Sequence, residues 1–115
     1  MTWDACRSAV LSEAELTALG IPGTPVGDLA DRLQRFGISI RERLSGSRST
    51  LQADAVAMAV AIDPAVVQRQ QQTGLVMELN RTTRRGASVK MHGDRLTAIL
   101  DVDKARYAQM LSQVR

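Results

Sequence analysis

Aromatic side chains are nearly missing from this sequence: Trp3, Phe36 and Tyr107 are the only three in 115 residues. Any core must therefore be aliphatic, built from Leu, Val, Ile, Met and Ala, and 44% hydrophobic content is enough to build one. Cys6 is the single cysteine. One thiol cannot close an internal disulfide, which fits a reducing compartment. No stretch approaches the ~18 consecutive apolar residues of a membrane span, and the first residues carry no apolar signal region. A soluble, cytoplasmic chain with no membrane partner is expected. Charge of one sign is also lacking. Fifteen basic residues against twelve acidic ones leave a formal charge of +3, short of the field a dedicated nucleic-acid binder needs. No internal repeat or low-complexity segment is present. The length fits one domain over 1–115.

Helix signals dominate the first half. Ser12 and Glu15 have capping-box spacing, and Leu11 with Leu16 can form a hydrophobic staple, so a helix is expected over 12–19 with Gly20 as its stop. Ile21 to Thr24 then read as a turn containing Pro22 and Gly23. Pro25 suits the first position of a second helix over 25–44. Leu29, Leu33, Phe36, Ile40 and Leu44 form one apolar stripe on it, opposed by charged residues such as Asp31, Arg32, Arg35, Arg41 and Glu42. Ser45 to Ser49 read as a flexible loop. A third helix over 54–62 is apolar on every side, the mark of a buried helix whose alanines admit close neighbours, and Asp63-Pro64 ends it.

Beyond Gln72 the period shortens to two. Three short strands are expected over about 75–79, 87–92 and 96–102, the last two joined by a Gly93-Asp94 turn. A final helix over 103–114 turns Tyr107, Met110, Leu111 and Val114 inward. Helices, then strands, then a helix imply either a tight α+β unit or one portion of a larger α/β body.

Three ordered segments resemble the last third of the inosine-uridine-preferring nucleoside hydrolase family. The first is Val10-Leu11-Ser12-Glu13-Ala14-Glu15-Leu16 with Leu19-Gly20 and the helix after it. The second, Ala53-Asp54-Ala55-Val56-Ala57-Met58-Ala59-Val60-Ala61-Ile62-Asp63-Pro64, is similar to that family's His-Asp-Pro-Leu-Ala-Val-Ala box with its trailing Asp-Pro. The third joins Thr83-Arg84-Arg85-Gly86 to Ile99-Leu100-Asp101-Val102-Asp103. The resemblance implies the C-terminal portion of a Rossmann-type α/β fold. It also implies a calcium-dependent glycosidase that splits the N-glycosidic bond of ribonucleosides. Asp54 aligns with a calcium ligand of the family, although Asp is equally suited to capping a helix. Ala53 stands where the family has a histidine proposed to protonate the leaving base, so no catalytic residue carries over. Ala55 stands where proline is common.

The family's aspartate-rich N-terminal motif, and the Asn and Glu that grip ribose, have no counterpart here. Calcium takes ~6–8 oxygens, so calcium as cofactor is expected only if another chain supplies the remaining ligands. The implied partners are a ribonucleoside, and either a complementing N-terminal chain or further copies of this one. A non-catalytic binding or oligomerisation module built on this segment is the alternative. The other candidates read as structural. His92, the only histidine, sits beside Gly93 at a strand end or turn. Arg81, Arg84, Arg85, Lys90 and Arg95 form a basic stretch with no aromatic among them for base stacking, hence a solvated hairpin face rather than a nucleic-acid surface. Cys6 reads as a small buried hydrophobe.

Overall fold

The computed structural model describes residues 1–20, 23–80 and 83–113. Among them are α1 (Trp3–Ser8), β1 (Leu11–Ser12), α2 (Glu13–Leu19), α3 (Pro25–Ser45), β2 (Ser49–Thr50), α4 (Ala53–Ile62), a 3₁₀ turn (Pro64–Val66), β3 (Val67–Met77), β4 (Ser88–Val102) and α5 (Lys104–Gln113). The strands form two small antiparallel sheets, β1 with β2 and β3 with β4. This is a mixed helix and short-strand architecture.

The helix starts obey local chemistry. Ser12 caps α2: its Oγ accepts from the Glu15 backbone N–H at 3.2 Å, while Glu15 Oε2 accepts from the Ser12 N–H at 2.7 Å. Leu11 is buried in the core and Leu16 packs against that core, the pair expected of a staple. Thr24 caps α3 through the Gly27 N–H, with Pro25 first in the helix. Gly46 ends it in the left-handed conformation, φ 69°, which costs glycine nothing.

The expected loop after α3 is instead tied down. Ser49 and Thr50 pair with Ser12 and Leu11. Arg48 bridges Glu13 and Glu42. The turn expected at Ile21-Pro22, and Val114 on the last helix, lie outside the described residues.

The core is small and gathers the two ends of the chain. Ala5, Leu11, Val56, Val66, Val102 and Tyr107 meet at its centre. Thr2 Oγ1 donates to the Ile99 carbonyl at 2.7 Å, and Val102 N–H donates to Ser8 Oγ at 3.3 Å. Helix α1 therefore packs on the base of β4. The Cα radius of gyration is 16.2 Å, with the molecule 48 Å long and 21 Å thin. A compact domain of this length has about 13 Å, so much of the surface that folding usually buries stays outside.

Three expectations change. Strands at 87–92 and 96–102 are one continuous strand, β4. The register jumps from Thr73↔Leu96 to Gly74↔Met91, so His92–Arg95 form a bulge inside β4 and not a hairpin turn. The chain reverses instead beyond Met77, where Glu78 N–H donates to Ala87 O at 2.9 Å and Gly86 N–H to Glu78 O at 2.8 Å. Strand β3 also starts eight residues earlier than its alternating apolar run, and Leu79 lies beyond its end. Finally, α4 is not buried on every side. Val56 and Ala59 are buried, whereas Met58 and Ile62 are 59% and 71% exposed, because nothing in the described chain lies over that face.

Candidate functional site

Asp54 is the second residue of α4 and exposed. The cap position belongs to Gln52, which makes no side-chain cap hydrogen bond, so capping is not the role of Asp54. A carboxylate in the first turn still favours the positive end of the helix by ~0.3–1 kcal/mol. Ala53 begins the helix beside it. Gln52 is occupied elsewhere: its Oε1 accepts from the Tyr107 hydroxyl at 3.2 Å. Burial pushes the phenol of Tyr107 up to about 12, so it stays neutral across the physiological range.

No group of three or more His, Cys, Asp or Glu residues that could hold a metal occurs among the described residues. One exposed carboxylate does not fit a calcium ion. No reaction step can therefore be routed through a metal held by these residues alone.

Carboxylates do gather in a cleft of about 260 Å³ lined by Glu13, Asp28, Asp31, Arg35 and neighbours. Two of them are committed to ion pairs. Arg48 Nε lies 2.6 Å from Glu13 and Arg35 Nε 2.7 Å from Asp31. The hydrogen bond from Arg48 holds the Glu13 carboxyl below its usual range. Lys104 and the Ser12 cap likewise hold Glu15 down to about 2. These are fixed structural anions, suited to joining α2 to its neighbours.

A second groove of about 440 Å³ runs between α4 and α5, lined by Ala55, Met58, Ala59, Ile62, Met110 and Leu111 among others. Met58 and Ile62 follow Asp54 along the same helix, so an apolar face extends from the one candidate ligand.

The remaining sequence candidates stay apart from Asp54. His92 lies exposed in the β4 bulge, between Met91 and Gly93. Arg84, Arg85, Lys90 and Arg95 are exposed along the β3–β4 hairpin; Arg81 lies outside the described residues. Cys6 is buried in α1, with Sγ 3.4 Å from the Thr2 carbonyl. Sequence reasoning missed α1, a six-residue helix too short for periodicity. Its available signal was Thr2, whose Oγ1 accepts from Ala5 N–H.

The mixed helix and short-strand fold resembles part of a nucleoside hydrolase. Among solved structures, the chain is similar to an inosine-guanosine nucleoside hydrolase, with a TM-score of 0.75, 19% identity and 96% of this chain covered. It spans 38% of that chain's length. No family model matches the chain, and no curated protein matches it.

Proposed function

We propose that this chain supplies one segment of a ribonucleoside-hydrolysing body and does not hydrolyse nucleosides alone. The likeness over 96% of this chain, but only 38% of the inosine-guanosine nucleoside hydrolase, carries this reading. In it, the segment is the C-terminal part of a Rossmann-type α/β fold, and the metal-bearing part is a separate contribution. Asp54, exposed at the head of α4, is the residue this chain offers to a calcium ion whose other oxygens come from elsewhere. The apolar face of Met58 and Ile62 beyond it is where that other part would seat. Bound calcium would hold the sugar diol and polarise a water. This chain's own share is a rigid anion at the end of a helix, with no acid in place of the missing histidine.

The test is release of free base from inosine, guanosine and uridine with calcium present. The chain is assayed alone and then with the part of the hydrolase that it does not match. Turnover is expected only in the mixture and is expected to fall at least ~100-fold with Asp54→Ala. A folded chain that remains inactive in both arms would leave Asp54 a helix-dipole partner. The non-catalytic reading would then stand, as a binding or oligomerisation module on the same fold. The exposed apolar stripe of α3 favours that second reading.

A further inference from the structure

Helix α3 carries an apolar stripe that no other described element covers. Val26, Leu29, Leu33, Phe36, Ile40 and Leu44 are 41–82% exposed. The residues the helix buries, Gly27 and Ile38, lie off this stripe. From Val26 to Leu44 the stripe is ~27 Å long. It runs into a cleft lined by Trp3, Ile40, Leu44 and Leu51, and Trp3 is 62% exposed. Large contiguous apolar patches of this kind mark interaction surfaces.

We infer that this stripe is where two copies of the chain pair, with their α3 helices antiparallel across a two-fold axis. The inference does not depend on the hydrolase reading. Spacings of three, four, three and four from Val26 to Ile40 are those of a seam that packs knobs into holes. A two-fold midway between Leu33 and Phe36 sets Leu33 against the partner's Phe36 and Leu29 against the partner's Ile40. These four residues are thus complementary to themselves, as an isologous contact requires, and Val26 meets the stem of the partner's Arg43 at either end.

One flank of the seam carries Ala30 and Gly37. An added Cβ on Gly37 would meet nothing within 4 Å in its own chain, so that side is open to close backbone approach. The other flank sets Arg32 against the partner's Ser39, with no like charges opposed. The helix dipoles run in opposite directions. The six stripe residues and Trp3 each turn ~100 Å² outward. Together these approach the ~800 Å² per partner of a standard interface.

Sedimentation velocity of the full chain at micromolar concentration is expected to show a species of twice 12.5 kDa. The double variant Leu33→Asp, Phe36→Asp is expected to raise the dimer Kd at least ~100-fold with an unchanged circular dichroism spectrum. Gly37→Gln improves helix propensity yet blocks the close flank; it should weaken the dimer without lowering the Tm. Spin labels on Ser45→Cys, in a Cys6→Ala background, should lie ~30 Å apart across the two-fold. A folded monomer, a ladder of larger species, or variants with unchanged Kd would overturn the proposal. So would labels ~10 Å apart, the mark of a parallel pair. A chain that stays monomeric, and whose stripe is covered only when the unmatched part of the hydrolase is added, would assign the face to that part.

Discussion

Tyr107 does two jobs that substitutions separate. It is 1% exposed, and its hydroxyl donates to Gln52 at the entrance of α4. Tyr107→Phe keeps the ring and loses one hydrogen bond, so about 1 kcal/mol of stability should go. Tyr107→Ala empties the centre of an aromatic-poor core and should cost about 3–5 kcal/mol. Urea melts of the two variants measure both. Glu15 joins the two halves of the chain differently, as an anion held by Lys104 and the Ser12 cap. Its folded pKa is depressed from 4.5 to about 2, and Glu13 and Asp63 are lowered in the same sense by Arg48 and Arg106. A depressed carboxyl contributes stability that is fully present above its unfolded pKa and is lost as pH falls through the folded value. The Tm should therefore be flat above about pH 5 and drop between about 4.5 and 2. Glu15→Gln should flatten that drop, and a flat Tm in the native chain over that window would refute the assignment. The capping box, Pro25 and the Gly20 stop were readable from residue type because they depend only on neighbours a few positions away. The ion pairs of Glu15 with Lys104 and Asp63 with Arg106 join residues 89 and 43 positions apart, which no local pattern encodes.

At the scale of elements, the four helices expected from sequence kept their boundaries to within a residue or two, while the strands did not. Residues 68–72, Gln-Arg-Gln-Gln-Gln, have no apolar alternation. They are held as a strand by pairing with Thr97–Asp101, not by any face of their own. Gly93-Asp94 looked like a turn, yet the bulge it belongs to is pinned by tertiary contact. Gly74 sits so close to the bulge that an added Cβ would lie 3.1 Å from the His92 carbonyl. The burial of α4 was misjudged for another reason. Its apolar residues are where the pattern put them, but no described element lies over Met58 and Ile62. The distal hairpin, Gly74–Met77 with Ser88–Met91, is two strands with both faces and both edges open. Such a ribbon is marginal in water. Its amides are expected to exchange with deuterium at least ~10-fold faster than those of the basal half, Gln70–Thr73 with Leu96–Ile99, where Thr73 and Ala98 are buried. Equal protection of the two halves would mean that something covers the tip.

For the whole molecule, the fold resembles part of a nucleoside hydrolase, and apolar faces of α3 and α4 stay exposed. The place of Asp54 in the first turn of α4 was legible because it starts a distinctive apolar run. Which faces would stay open was not, because that depends on how α1 and α5 fill the space around Tyr107. Deleting residues 1–9 removes Ala5, Cys6 and Ala9 from the core and the Thr2 and Ser8 bonds to β4. Loss of the cooperative thermal transition is expected, read by near-ultraviolet dichroism. A retained transition would show that α1 only decorates the fold.

The bond between Thr2 and Ile99 spans 97 positions. Synthesis proceeds from one end of the chain to the other. Helix α1 therefore leaves the ribosome long before the strand it packs on, and contacts this distant in sequence are slow to close. Until β4 has emerged, the first nine residues have no place to settle. The nascent chain holds Leu11 and Val56 uncovered through nearly its whole length. The last strand and the helix after it, which brings Tyr107, complete the core for everything made before them, so a nick ahead of Ile99 is expected to leave an opened polypeptide rather than a shorter folded one.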